Sequence, residues 1–435
     1  MFKILFSILF LLSIFNTMLF SNNLKLQEYI EVALKNNPEL ITSENAYISA
    51  KYKAWEAKSM FSPQVSATMS VSRRVSPLSV TFGDTSLFPG LPEKTDVTTY
   101  SQGLSAQQNI WDFGRTLSVV TRADLNKELA FLAYEKKKQE IVFNVKKGYY
   151  NLMQALSVSN LANINLKEID NLHKSVSERQ KQGLATPIDV LNIESEYMNF
   201  KAEAQKAQNN AEIAMLSFSN ILGKELEKPI IISEQNFMEP QEYPLDFKSF
   251  EDCRQEALMQ RIDFKEFEIQ EKLSETSLKG AYSEWMPALT ASGSYDFQGN
   301  TYPPDKDSWS AGVNLSLPLF KGGADYAKTK SAKADLSSIK SFLNQMRRNV
   351  LLQLKSSYYK AIEAKSSYES AIKRKEYLEK NNEAINAKFT EGLATITELI
   401  EAQTKKLSGE IQAQNALYTY HLALNELKYA TGGIK

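Results

Sequence analysis

Few side chains in this sequence have the types and spacing that covalent chemistry requires. There is one cysteine, Cys253, and there are two histidines, His173 and His421. No second imidazole stands at i+4 to either histidine, so neither a disulfide framework nor a zinc-type ligand set is available. Cys253 reads as a small helix residue and the histidines as solvated or interface residues. Leu222-Gly223-Lys224 lacks the earlier glycine and the following hydroxyl of a phosphate-binding loop. No catalytic constellation is present, and neither enzyme activity nor a cofactor is expected. Basic and acidic residues balance at 51 each, which excludes a nucleic-acid binder working through a broad positive field. The remaining chemistry is electrostatic, and it gathers at two turns that carry Asp189, Glu398 and Glu401.

Those turns are near copies. Gln182-Gly183-Leu184-Ala185-Thr186-Pro187-Ile188-Asp189 returns as Glu391-Gly392-Leu393-Ala394-Thr395-Ile396-Thr397-Glu398. A helix ends at each glycine, the natural left-handed position after a C-terminus. Another begins at once, with Thr186 and Thr395 as N-caps, Pro187 at N1, and Asp189 and Glu398 at N3. Each copy therefore joins two long antiparallel helices. Leu184 and Leu393 fall one position past the glycine, where the residue usually packs on C3 of its own helix. Here C3 is about Arg179 and Lys388, which offer only aliphatic stems, so both leucines are expected to stay partly exposed. Asp189 and Glu398 have a plain role as helix caps meeting the positive dipole end. Glu401 lies one turn beyond Glu398 on the same face and has no capping role; a solvated helix face is its simplest reading.

Four elements must position each turn. Residues 24 to 60 follow helical spacing, with Pro38 dividing or kinking them. From Gln64 to Ser72 the chain alternates strictly, with Val65, Ala67, Met69 and Val71 against Ser66, Thr68, Ser70 and Ser72. That predicts a strand with one apolar and one hydroxyl face. Residues 73 to 98 read as a loop and 100 to 111 as a second strand. Helices are expected at about 114–182 and 186–222, then a proline-containing connector at 224–250. The order then repeats within 251–435, with strands at about 288–297 and 309–319 and helices at about 323–391 and 396–430. Ala33-Leu34 matches Ala257-Leu258 and Pro63 matches Pro287. Sixty-nine residues separate Gly114 from Gly183, and sixty-nine separate Gly323 from Gly392. That equality marks an internal duplication. If continuous, each such helix is roughly 100 Å long. On the second one, Leu336, Ile339, Leu343, Met346, Val350 and Leu354 form a coiled-coil seam. Trp111 and Trp309 are placed at strand ends, as interface anchors or simple strand packing.

The N-terminal residues 1–21 have one early Lys3, an apolar core and a polar exit, the form of a secretory signal peptide. A membrane anchor is the competing reading. Four strands with almost no charge and with hydroxyl backs suit a barrel facing lipid outside and water inside; a small soluble sheet is the alternative. Four strands cannot close, and an open edge in lipid leaves backbone groups unsatisfied. Two, three or four copies would close the sheet, and the pattern does not choose among them.

The leader, the duplicated helix-strand-strand-helix unit, the paired Gly-Leu-Ala-Thr turns and the proline-initiated strands together resemble the TolC family of outer-membrane channel proteins. The resemblance covers nearly the whole mature chain. It implies a mainly α fold with a membrane β-barrel: a homotrimer with a twelve-stranded barrel in outer-membrane lipid, four strands per chain, continued by a long α-helical barrel in the periplasm. Residues 224–250 would form an equatorial layer. The implied partners are a periplasmic adaptor (membrane fusion) protein and an inner-membrane pump, and the implied role is a passive exit duct for small molecules. A type I protein secretion channel shares that architecture, and a trimeric surface coiled-coil protein is the rival from another class. On the resemblance, Gly183, Leu184, Gly392 and Leu393 receive the adaptor, and Glu398 and Glu401 ring the periplasmic entrance beside Asp189 and Phe389. The family's closed state uses a tyrosine and an arginine where this chain has Phe389 and Ala394. A weaker closure is therefore expected.

Overall fold

The computed structural model describes residues 26–77, 81–82, 85–86, 94–223 and 248–433. The expected leader, residues 1–21, and most of the expected connector, residues 224–247, lie outside them. The described chain divides into two compact units. One comprises residues 45–132 and 265–344, the other residues up to 44, 133–264 and 345 onward.

The first unit carries the sheet. Helix α1 (Leu26–Asn36) and helix α2 (Pro38–Lys58) precede it in the chain. Of the two readings at Pro38, division is the one found, because Pro38 lacks an N–H and Asn37 caps the second helix: its Oδ1 accepts from Glu39 N at 2.9 Å. Four strands come next: β1 (Gln64–Pro77), β2 (Lys94–Trp111), β3 (Ala288–Gly299) and β4 (Lys306–Ser316). They lie in sequence order and every neighbour is antiparallel. A short two-residue pairing, Thr81–Phe82 with Thr85–Ser86, sits between β1 and β2.

Register sorts the side chains into two faces, since successive residues alternate. One row across the sheet reads Ala67, Leu104, Tyr295, Trp309; the next reads Ser66, Ser105, Ser294, Ser310. Hydroxyls join within the second face: Ser66 to Ser105 at 2.8 Å, Ser70 to Ser101 at 2.7 Å and Ser294 to Ser310 at 3.1 Å. The opposite face leaves Val65, Met69, Val71, Leu104, Trp309 and Val313 exposed.

The limits of β1, β2 and β4 differ from the sequence reading. Strands β1 and β2 run past Ser72 and begin before Tyr100, into the stretch expected to be loop. Arg73 and Asp96 close that extension, with Arg73 Nε donating to Asp96 Oδ1 at 2.9 Å, so the pairing survives where apolar alternation has stopped. Strand β4 starts and ends three residues early: Leu317 precedes Pro318, which cannot donate to a ladder. Trp309 is accordingly inside β4, opposite Tyr295, rather than at its end. Trp111 reaches the apolar face through an irregularity between Asn109 and Trp111 that pairs it with Leu289.

The strand-to-helix junctions need two left-handed residues each, Phe113 and Gly114 (φ 52° and 90°), then Gly322 and Gly323 (φ 59° and 84°). Beside the first, Asp112 Oδ2 accepts from Thr116 N at 2.8 Å. Glu284 draws Lys328 to 2.8 Å and Arg115 to 3.7 Å, and the Lys328 hydrogen bond holds its carboxyl below the usual range.

Helix α3 (Arg115–Lys181) and helix α4 (Pro187–Ile221) form the first hairpin. Helix α5 (Phe250–Gln260) and helix α6 (Ile262–Ser283) come next. Helix α7 (Ala324–Thr390) and helix α8 (Ile396–Ala430) form the second hairpin. The two long members have 67 residues each and the two returning members 35 each. None of the described helices is long and apolar enough to cross a membrane.

In the helical unit, Tyr29, Ile30 and Ala33 of α1 pack on Val145, Tyr149, Leu152 and Met153 of α3 and Phe218 of α4. Cys253 is buried in α5. Arg261, between α5 and α6, donates to Ala430 O at 3.2 Å, Gln353 Oε1 at 3.0 Å and Asp263 Oδ2 at 2.7 Å.

Candidate functional site

The hairpin tips are built by local backbone chemistry. Gly183 and Gly392 have φ of 75° and 77°. Leu184 N donates to Arg179 O at 2.8 Å and Gly183 N to Gln180 O at 2.9 Å; Leu393 N donates to Lys388 O at 2.8 Å and Gly392 N to Phe389 O at 3.1 Å. These paired bonds are Schellman closures with Arg179 and Lys388 at C3. The next helix starts at once. Thr186 N donates to Asp189 Oδ2 at 2.8 Å, and Asp189 N returns a bond to Thr186 Oγ1 at 3.2 Å. Thr395 N donates to Glu398 Oε2 at 2.7 Å, and Glu398 N to Thr395 Oγ1 at 3.2 Å. Both N3 carboxylates are therefore engaged in capping boxes. The Thr395 N–H and hydroxyl bonds hold the Glu398 carboxyl below its ordinary pKa.

Leu184 and Leu393 are each 73% exposed. The Arg179 side chain ends on the other hairpin: its guanidinium lies 4.7 Å over the Phe389 ring. That contact joins the C-terminal turns of α3 and α7 by a cation–π interaction. Phe389 also packs against a buried cluster of Ile169, Val176, Ile193, Phe200, Ile396 and Ile400. Sequence reasoning missed Arg179 in this role, because the partners lie on different hairpins and no local pattern links them.

It also missed Ile188 and Leu191, 76% and 64% exposed on the first turns of α4. Their counterparts in the duplicated half are Thr397, which is polar, and Ile400, which is buried. The signal was two apolar residues at i, i+3 turned away from the buried stripe of Ile193, Phe200, Ala204 and Ala207. Glu401 has Lys405 Nζ at 3.2 Å, so its charge is partly offset within its own helix. Among the described residues no group of three or more His, Cys, Asp or Glu is placed to hold a metal ion.

A membrane-suited sheet with a hydroxyl face, on the same chain as helical hairpins with apolar tips, has the make-up of an outer-membrane channel subunit. Solved structures share that fold: the outer-membrane channel OprN superposes with a TM-score of 0.80 at 18% identity, over 94% of this chain and 90% of that one. The sequence pattern described as outer membrane efflux protein matches residues 29–224 and 253–433, and the chain belongs to that family. Among its relatives, the outer membrane protein TolC of Vibrio cholerae is 22% identical over 415 residues, 94% of this chain and 90% of that protein. The alkaline protease secretion protein AprF of Pseudomonas aeruginosa is 21% identical over 351 residues, 78% of this chain and 71% of its own length. The protein is an outer-membrane efflux or secretion channel of the TolC family.

Proposed function

We propose that this chain is the passive outer-membrane exit duct of a tripartite efflux system, exporting small molecules and working as a homotrimer with a periplasmic adaptor and an inner-membrane pump. The observation that carries the adaptor role is the pair of tips whose leucines stay three-quarters exposed while Schellman closures and capping boxes fix the backbone on either side of them. Apolar residues held rigidly in water at one end of a hairpin favour a docking surface over a packing defect. Gly183, Leu184, Gly392 and Leu393 form its centre. Ile188 and Leu191 extend it on the first hairpin only. The test is export by a strain carrying Leu184→Asp with Leu393→Asp. Loss of export with normal outer-membrane trimer supports docking there; unchanged export refutes it.

The entrance reading assigns cation preference to the carboxylates beside the tips. Glu398 carries most of it, since Glu401 has Lys405 beside it, and Asp189 adds a second capping carboxylate. Three copies would face one opening. In planar bilayers, Glu398→Gln with Glu401→Gln should lower the cation-to-anion permeability ratio. An unchanged ratio returns both glutamates to capping and solvation.

Protein secretion is the second reading, favoured by the likeness to a channel named for alkaline protease secretion. Comparing a deletion strain for drug susceptibility and for its secreted proteins separates the two. Sensitisation without a missing secreted protein supports efflux, and the reverse supports secretion.

A further inference from the structure

Lys146 of α3 and Lys428 of α8 line one cleft of about 280 Å³ in the helical unit, between α1, α3 and α8. Its walls include buried Tyr150, His421 and Asn425, with Gln27 exposed at the rim. Several other lysines on these helices have acidic partners: Lys136 reaches Asp263 at 2.8 Å, Lys137 reaches Glu140 at 2.8 Å, and Lys406 reaches Glu168 at 3.1 Å. Neither Lys146 nor Lys428 has a carboxylate within 4.0 Å among the described residues. Two cations thus share a partly enclosed space without a counter-charge. Burial, and then the nearby Lys428 charge, hold the Lys146 ammonium below its ordinary pKa. An anion between them would offset both penalties.

The neutral groups suit the same guest. Burial pushes His421 down to about 4, so at neutral pH it adds hydrogen-bonding capacity and no third positive charge. Asn425 and Gln27 supply amides. The volume exceeds that of several waters at about 30 Å³ each, so a small polyatomic ion fits with part of its hydration shell.

We propose that this cleft is a binding site for a small diffusible oxyanion, phosphate or carboxylate in class, held between Lys146 and Lys428. The site lies within one chain and does not depend on whether the duct serves efflux or secretion. The competing source of the same charge is a carboxylate from a neighbouring copy of the chain.

The experiment is isothermal titration of the full-length protein in detergent with inorganic phosphate, at constant ionic strength set by chloride. One saturable site per chain is expected. Lys146→Gln or Lys428→Gln should weaken it at least tenfold. Lys146→Arg should stay within about threefold and guards against a folding defect, since it keeps the charge. Lys147→Gln, outside the cleft, should change nothing. Acetate in place of phosphate tells whether a single negative charge suffices. No saturable binding by the wild type, or equal binding by the Lys146→Gln/Lys428→Gln protein, overturns the proposal. Loss of the oligomer in Lys428→Gln, with no phosphate binding by the wild type, assigns the lysines to a neighbouring subunit and overturns it too.

Discussion

At the scale of single residues, a buried imidazole and a stacked guanidinium make the sharpest claims. His421 is 4% exposed and stacks on Tyr150 with ring centroids 5.1 Å apart. Its folded pKa of about 4 lies below the usual 6.5. Between those values the unfolded chain binds a proton that the folded one does not, so stability falls as pH drops. The contribution is fully present above about pH 6.5 and is lost progressively toward pH 4, by roughly 3 kcal/mol at most. In His421→Phe, which keeps the stack, the fall in melting temperature across that window should flatten. A slope equal to wild type would mean the histidine stays accessible to protons. Arg179 makes a different claim. The chain lacks an arginine at position 394, but the guanidinium over Phe389 supplies another cationic tie between the hairpins. A cation–π contact of this kind is worth about 0.5–1 kcal/mol at an exposed site, so closure it holds is modest. Arg179→Ala and Phe389→Ala should each raise the open probability of single channels several-fold. The double variant should rise no further than the larger single one; additive effects would show that the two residues act separately.

At the scale of elements, the turns were legible in the sequence and the long-range contacts were not. Gly, Thr and an acid three residues later specify a helix stop and restart through bonds spanning six residues or fewer, so both tips could be read locally. The serine face was equally plain, because alternation alone decides which side a strand residue takes. The limits of β1 and β2 were hidden, since Arg73 and Asp96 are held by each other and not by an apolar pattern. The end of β4 is set by Pro318, a local signal in the sequence. The contacts of Arg179 with Phe389, and the meeting of Lys146 with Lys428, depend on helix packing over some two hundred residues or more of sequence, which no window carries. The turn glycines give a test of the local claim. A Cβ at Gly183 or Gly392 meets no atom within 4 Å, whereas at Gly223, φ 69°, it meets Asn36 O at 3.0 Å. Gly183→Ala and Gly392→Ala should therefore cost only the left-handed backbone penalty, about 1–2 kcal/mol. Gly223→Ala should cost more, because a carbonyl must also move. Denaturant midpoints should fall in that order; a tip variant losing more than the Gly223 variant would refute it.

At the scale of the whole molecule, the sheet sets a demand that one chain cannot meet. Among the described residues, strand β1 and strand β4 each have a single ladder partner, and in lipid every unpaired backbone group on those edges costs several kcal/mol. The row Ser66, Ser105, Ser294, Ser310 crosses all four strands, so copies joined edge to edge would continue it into a closed hydroxyl ring around water. Three copies give twelve strands, the number implied by the family. Disulfide trapping can count them. With Cys253→Ser as background, one cysteine at Ser70 on β1 is combined in turn with one at Ser308, Ser310 or Gly312 on β4, all on the hydroxyl face. A disulfide needs Cα atoms about 4.4–6.8 Å apart, so only the pair adjacent across the closed seam should oxidise efficiently. That pair should give a ladder of covalent dimer and closed trimer and no larger species. A fourth band would replace the trimer with a tetramer. Absence of cross-linking from every pair, in protein that is inserted in the outer membrane, would mean that β1 and β4 do not meet between copies.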